Sequence, residues 1–268
     1  MAEKESVGRK LKREVVRAML ERSQSMDSKE MMEMMGKSGS AVEYDDIEET
    51  LNIPYVNRDE VPLAMDMFKP KVPEGTELPI IIVIHGGGLT MGDRGFERPL
   101  CRRFAHLKYL VFSLEYRLAP RANVCEELDD VCAGMDLVGK MLVEQDVDFT
   151  RIFLFADSAG AYLAAYVSAM HGSPKLCEAI GYEPSRMTFA AVGLLCGMFY
   201  TNRKDPTGWM LSEQIYGEKR ADEKFLKFMN PEHPEIVNNI PPAFLITSKG
   251  DFINNYTFMF HEALKKAG

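Results

Sequence analysis

The sequence predicts an α/β protein in which a mostly parallel sheet carries helices on both faces. Three observations predict it. The β-branched run Pro79-Ile80-Ile81-Ile82-Val83-Ile84 has the unbroken apolarity of a strand buried on both faces. A second apolar run, residues 151–155, is followed by the small residues Ala156-Asp157-Ser158-Ala159-Gly160 and then by helix formers, which reads as strand, sharp turn and helix. Strand-length and helix-length segments alternate along the chain, with strands at 80–84, 109–114, 151–155, 189–196 and 243–248.

With 268 residues, 46% of them hydrophobic and 27% charged, the chain can bury one large core. The net charge of −8, from 40 acids against 32 bases, speaks against a nucleic-acid partner. Cys101, Cys125, Cys132, Cys177 and Cys196 are odd in number and include no C-x-x-C pair, so neither a disulfide framework nor a zinc site is expected and a reducing cytoplasm suits them. Neither a signal peptide nor a membrane span is predicted, because no continuous apolar segment has the required length.

In chain order, Val7, Leu11, Val15 and Met19 form a narrow apolar stripe at near-helical spacing, suited to docking on a protein surface or to lying on a membrane, with both charge signs on the polar face favouring docking. Met31, Met32, Met34 and Met35 belong to a second short helix, suited to a lid over an apolar pocket or to core filling. Residues 51–56 and 63–68 make an antiparallel hairpin around Asn57-Arg58-Asp59-Glu60. A helix over 96–107 presents Phe96, Leu100, Phe104 and Leu107, and a longer one runs from about 126 to 144. An excursion over 197–240 carries Met210, Leu211, Ile215, Tyr216, Phe225 and Phe228, so it packs on something. It is either a lid over a substrate pocket or a peripheral helical pair covering the core.

Two stretches carry chemistry. Ser158 fits the G-x-S-x-G turn, with Ala156 replacing the first glycine by one methyl group. The alternative is an ordinary N-cap serine. The glycines of His85-Gly86-Gly87-Gly88 leave a buried strand at a considerable cost in backbone entropy, which implies a need for close approach. Turned toward Ser158, the N–H groups of Gly87, Gly88 and Ala159 would hold an oxyanion, each donor contributing about 3–4 kcal/mol to an acyl-transfer transition state. A flexible turn or a phosphate loop is the alternative, but Leu89-Thr90-Met91-Gly92-Asp93 offers neither a lysine nor a helix start. His85 is expected to brace this loop by hydrogen bonds and not to act as a base.

Together His85-Gly86-Gly87-Gly88, Glu115-Tyr116-Arg117-Leu118-Ala119-Pro120, Leu128-Asp129-Asp130-Val131, Asp157-Ser158-Ala159-Gly160 and Pro241-Pro242-Ala243 resemble the hormone-sensitive-lipase-like carboxylesterases of the α/β-hydrolase fold. The likeness runs from about residue 45 onward. Ala156, Glu115 and Arg121 depart from the family pattern without removing a reacting group. The resemblance implies an N-terminal helical cap segment over 1–45 and a hydrolase core over 46–268, with a cap insertion at about 197–240. It also implies a catalytic triad built on Ser158 and Asp251. Asp251 follows a strand at its carboxyl end, in the order serine, acid, histidine, although it could simply cap the helix that starts near Asn254.

None of His85, His106, His171, His233 and His261 stands where a triad histidine should. The resemblance implies that a last strand, the histidine loop and a closing helix follow Gly268, so that residues 1–268 alone should be nearly inactive and expose a sheet edge open to homodimer formation. The implied activity is hydrolysis of a small-molecule carboxylic ester, of short acyl or acetyl type, through an acyl-enzyme on Ser158 and with no metal or organic cofactor. A pseudoenzyme that binds a small ligand without turnover, or a protein-interaction module on the same fold, are the other readings.

Overall fold

The computed structural model describes residues 42–143 and 147–268, with positions 14–18, 20, 22, 24 and 30 of an N-terminal helical segment. The methionine-rich helix expected at 31–35 lies outside the described residues. The hairpin is formed by β1 (Ile47–Arg58) and β2 (Val61–Pro70), both longer than their apolar cores suggested. Asp59 and Glu60, at φ 50° and 65°, turn the chain in two residues. Two successive positive φ values are what a two-residue turn needs to match the twist of the strands.

Strand β3 (Leu78–Ile84) lies between β4 (Leu110–Leu114) and β5 (Val147–Asp157), parallel to both. With β6 (Ala191–Leu195) and β7 (Ala243–Ile246), also parallel, the sheet order is β1-β2-β4-β3-β5-β6-β7. The chain leaves β3 for β4 on one side and returns to β5 on the other. The carboxyl ends of β3 and β5 therefore flank the topological switch point where open α/β sheets gather ligands.

Alternation along β3 separates the two cores. Ile80, Ile82 and Ile84 face a large cluster with α2 (Val124–Leu142) and α3 (Ser158–Met170), while Ile81 and Val83 face a smaller one with Cys101 and Ala105 of α1 (Arg98–His106). Helix α2 starts two residues before the predicted position. Asn123 and Glu126 explain this by forming a reciprocal capping box, with Asn123 Oδ1 accepting from Cys125 and Glu126 N–H and Glu126 Oε2 accepting from Asn123 N–H.

Every residue of α3 after Ser158 is buried, so the helix is enclosed on all sides. Its two tyrosine hydroxyls are satisfied internally: Tyr162 meets Tyr216 at 3.4 Å and Tyr166 donates to the Phe228 carbonyl. A helix not anticipated from the sequence, α4 (Pro174–Ile180), follows directly, capped by Ser173 and closed by Gly181 at φ 92°. Its seven residues are too few for a periodic signal.

Residues 197–240 contain α5 (Pro206–Tyr216), α6 (Glu223–Leu226) and α7 (Pro234–Val237). Phe225, Phe228, Met229 and Ile236 of this region are buried in the main core, as a peripheral cover would be, whereas Leu211 of α5 reaches the glycine loop. In the N-terminal segment the inward face differs from the predicted stripe: Val15 is 52% exposed, while Leu20 is buried and Val16 and Gln24 are half-buried. The spacing i, i+4, i+8 selects that face; Val7, Leu11 and Met19 lie outside the described residues.

The last helix, α8 (Asn254–Ala267), packs Tyr256 and Phe260 into the core. β7 is an edge strand, and Phe244 on it and Phe252 and Phe258 after it are exposed. All five cysteines are free thiols. Among the described residues no helix is long and apolar enough to cross a membrane.

One buried acid gives a direct stability prediction. Glu127 of α2 is fully buried; its Oε1 accepts from Ala119 N–H at 3.1 Å, and its Oε2 has no partner among the described residues. Burial, reinforced by the charges of Asp130 and Glu126, raises its pKa well above the ordinary 4.5 against the pull of the Ala119 N–H. A carboxyl raised on folding contributes stability that is complete below its unfolded pKa and is lost as pH rises through the folded one. Glu127→Gln removes the charge and keeps the acceptor for Ala119. Urea unfolding from pH 4.5 upward should show the variant gaining on the parent, by about 1–2 kcal/mol at pH 8.

Candidate active site

β5 ends at Asp157, whose extended backbone makes it the N-cap of α3 without a side-chain cap bond. Ser158 is the first residue of the helix and has φ 50°. It is therefore not the N-cap serine of the alternative reading. A non-glycine residue at positive φ is strained, and here it marks the reversal that lifts the hydroxyl out of the sheet beside the helix N-terminus.

The small residues around Ser158 are explained by close approach. A Cβ at Gly160 would stand 2.3 Å from the Ile84 carbonyl oxygen and 2.6 Å from that of His85, so α3 is pressed against the end of β3. Ala156, two residues before Ser158, sits in register between Ile84 and Leu194 and is fully buried, which shows that a methyl is accommodated where the motif has glycine. A Cβ at Gly86 would lie 2.6 Å from Asp157 Oδ2. The glycine loop thus leaves β3 directly over the turn that carries Ser158.

Gly87 has φ 114°, and a Cβ on it would meet the Met91 carbonyl oxygen at 1.9 Å. Its own carbonyl accepts from Thr90 N–H at 3.2 Å and Met91 N–H at 3.0 Å, closing a tight turn. Gly88, at φ 65°, is less crowded: a Cβ would touch Leu211 Cδ1 and Thr90 Oγ1, each at 3.5 Å. Leu211 brings α5 over the loop.

His85 is fully buried and its ring stacks on Tyr116 with centroids 4.2 Å apart. Nδ1 faces the Gly86 carbonyl at 2.8 Å and Nε2 faces Glu115 Oε1 at 3.1 Å. Both neighbours are acceptors, so each ring nitrogen is engaged in bracing the loop. Burial pulls its pKa down, but the bond to Glu115 and that carboxylate's charge more than offset the loss, and the pKa is raised above 6.5. Glu115 also accepts from Arg94 Nη1 at 2.8 Å, and Arg94 and Arg98 share the buried carboxylate of Asp66. The expected brace is therefore ionic, with Glu115 serving where the family more often has aspartate. Arg117 forks onto Asp130, Nε to Oδ2 at 2.8 Å and Nη2 to Oδ1 at 3.0 Å, tying the loop after β4 to α2.

Asp251 lies beyond the carboxyl end of β7. Oδ1 accepts from Ile253 N–H at 3.1 Å in the turn before α8, whose N-cap has no side-chain cap bond, while Oδ2 accepts from Thr247 Oγ1 at 3.2 Å. Cys196, at φ 48° after β6, adjoins it; burial and then the Asp251 charge push the thiol up from its usual range. Cys196 N–H donates to the Ile246 carbonyl at 2.7 Å, and Met198 N–H donates to the Ser158 carbonyl at 2.9 Å. These bonds join the ends of β5, β6 and β7. Ser158 and Asp251 thereby follow strands on the same end of the sheet, β5 and β7, which lie two strand spacings or ~10 Å apart.

The other four histidines have contacts elsewhere. His106 bonds Asp46 and stacks on Tyr44, His171 lies against Phe189, His233 accepts Glu235 N–H beside Phe228, and His261 faces Glu262. Nothing in the sequence marks Cys196, Met198 and Thr247 as neighbours of Ser158 and Asp251, because loop residues carry no local pattern. A cleft of about 500 Å³ lies at the opposite, amino end of β5, lined by Asp136, Lys140, Phe149 and Arg186, and shares no residue with this site.

A family model described as the α/β-hydrolase fold matches residues 81–268. The chain is 27% identical over 201 residues to carboxylesterase NlhH of Mycobacterium tuberculosis, covering 71% of this chain and 62% of the relative. It is 27% identical over 212 residues to esterase LipI of the same organism, covering 75% and 64%. The chain thus spans a little over three-fifths of the length of these relatives. Among solved structures, phosphonate-inhibited esterase B from Lactobacillus rhamnosis superimposes with a TM-score of 0.79 at 21% identity, covering 96% of this chain and 81% of that one. The esterase from Pyrobaculum calidifontis gives 0.67 at 21% identity, covering 96% and 84%. The sheet order, the strained serine turn and the glycine loop accord with these likenesses: the chain belongs to the α/β-hydrolase fold family, and the resemblance of its motifs to the hormone-sensitive-lipase-like carboxylesterases is borne out.

Proposed function

We propose that this chain carries the nucleophile half of a serine carboxylic-ester hydrolase. The observation that supports it most is the contact between elbow and loop: Ser158 at φ 50° lies beneath a triple-glycine bend so close that Gly86 and Gly160 have no room for a methyl. In the proposed reaction Ser158 Oγ attacks the ester carbonyl and loses its proton to an imidazole. The N–H groups of Gly87, Gly88 and Ala159 take the developing oxyanion. The alcohol departs with that proton, and water then releases the acid from the acyl-enzyme by the same steps. Asp251 orients the imidazolium. The scheme calls for no metal or organic cofactor.

The substrate proposed is a small ester with a short acyl chain. Leu211 stands over Gly88 and sets an apolar side chain beside the loop, and the relatives named above are carboxylesterases and esterases. The five free thiols suit a reducing compartment, and the open edge of β7 is where the expected homodimer would pair.

A tributyrin-type phosphonate, the inhibitor class bound to the Lactobacillus enzyme, is the suitable probe. It should add its mass to the peptide that contains Ser158. Among the described residues every histidine has its contacts away from Ser158, so imidazole added in solution should accelerate both this labelling and the hydrolysis of a p-nitrophenyl ester. Labelling of a different residue, or none with imidazole present, would remove Ser158 from the chemistry.

A further inference from the structure

The N-terminal segment touches the candidate site through one side chain. Gln24 Nε2 donates to two backbone carbonyls, those of Thr90 and Ala119, each at 2.8 Å. Thr90 lies two residues beyond Gly88 in the glycine loop, and Ala119 belongs to the loop after β4. The two loops are also joined directly, by Ala119 N–H donating to the Leu89 carbonyl at 2.8 Å. Leu89, Thr90 and Ala119 are fully buried, so water cannot replace a lost donor.

The loop needs such fixing. Gly87, Gly88 and Leu89 all have positive φ, and Leu89 at 62° is a branched residue in a conformation it adopts rarely. A strained segment keeps its shape only where its surroundings over-determine it. On one side the Gly87 carbonyl holds Thr90 and Met91; on the other, the Leu89 carbonyl is held by Ala119 and the Thr90 carbonyl by Gln24. The primary amide is suited to this position. One nitrogen carries two N–H donors that diverge, one for each carbonyl. Leu20, one helical turn earlier, is buried and presses the same helix face inward.

We propose that Gln24 is a positioning residue for the oxyanion loop: by bridging Thr90 and Ala119 it couples docking of the N-terminal helix to the alignment of the Gly87 and Gly88 amides. This rests on the reading of the loop as an oxyanion hole. With the bridge absent, the strained turn relaxes and a bound tetrahedral adduct loses its donors, while Leu211 over the loop is unchanged.

The test compares the parent protein with Gln24→Met, which keeps length and lacks donors, and Gln24→Lys, whose ammonium can reach both carbonyls. The probe is the tributyrin-type phosphonate, with imidazole present. Gln24→Met should lower the limiting rate of Ser158 labelling by about 10- to 100-fold, as expected for a small misplacement of catalytic groups. The phosphonate concentration at half-maximal rate should stay within about threefold of the parent, and Gln24→Lys should recover most of the rate. Hydrogen exchange at Leu89 and Thr90 should quicken in Gln24→Met and be restored in Gln24→Lys. Parental labelling and exchange in Gln24→Met would overturn the proposal, as would equal losses in both variants accompanied by a lowered melting temperature. If the parent is not labelled on Ser158, the oxyanion reading fails, and the exchange rates alone decide whether Gln24 holds the loop.

Discussion

Glycine at position 158 is expected to abolish covalent labelling by a phosphonate and, in the same protein, to raise the unfolding free energy by about 0.5–1 kcal/mol. The two effects have one cause. Ser158 is held at φ 50° because the chain must turn between β5 and α3 with both ends fixed, by the sheet and by the contact of Gly160 with β3. A residue with a Cβ is disfavoured there by about 1–2 kcal/mol, of which glycine forfeits part through its greater freedom in the unfolded chain. Alanine keeps the strain, so Ser158→Ala should match the parent in a urea melt within about 0.5 kcal/mol. Both variants lack the only hydroxyl in the turn, so neither should acquire the mass of the inhibitor. A difference in stability between glycine and alanine, with labelling lost in both, identifies position 158 as a site where conformational strain accompanies the reacting group. Equal stability of the two would show that the turn is relaxed.

The elements that were legible in the sequence are those whose signal is local. The β-branched run of β3, the hairpin around Asp59-Glu60 and the small-residue turn at Ser158 each follow from the conformational preferences of a few adjacent residues. Their spatial order was not legible. That β3 lies at the centre, with β4 and β5 on opposite sides, depends on how crossovers pack against the sheet, which no residue pattern encodes. The same limit separates the site residues. Ser158 and the three glycines stand out because strain and close approach restrict composition, whereas Gln24 is a surface-like residue in a polar helix whose partners lie 66 and 95 positions away. The inward face of that helix was assigned through Val15, since a stripe of four apolar residues gives the simplest period. Leu20 is the buried residue instead, in line with Gln24, a polar residue that an apolar stripe does not count. The histidines show how far exclusion can go. Their distance from a triad position was apparent from the element order, but that both ring nitrogens of His85 are occupied emerges only from the carbonyl of Gly86 and the carboxylate of Glu115 that face them.

Gly160→Ala is expected to cost about 3 kcal/mol of stability, at the upper end of what overpacking costs, and to lower the rate of Ser158 labelling with it. The added methyl would lie 2.3 Å from the Ile84 carbonyl oxygen, 2.9 Å from the Ile84 carbonyl carbon and 2.6 Å from the His85 carbonyl oxygen. Two are backbone atoms of the central strand, which pairs on both sides, and the third belongs to the residue that follows it, so no rotamer change relieves the contact. The helix has to move away from β3, and because Ser158 and Ala159 open that helix, the hydroxyl and one oxyanion donor move with it. Gly139→Ala in α2 is the matched control: its methyl would meet only Met187, at 3.6 Å and 3.9 Å, an ordinary contact with a flexible side chain. A glycine inside a helix lowers stability by about 0.5–1 kcal/mol relative to alanine, so this variant should be more stable than the parent by that amount and label at the parental rate. The same chemical change is thus expected to give opposite signs at two helical glycines in one protein, read by denaturant unfolding. If Gly160→Ala unfolds at the parental midpoint and labels normally, α3 does not press against β3 as described, and the close approach of elbow and glycine loop on which the proposed chemistry depends is absent.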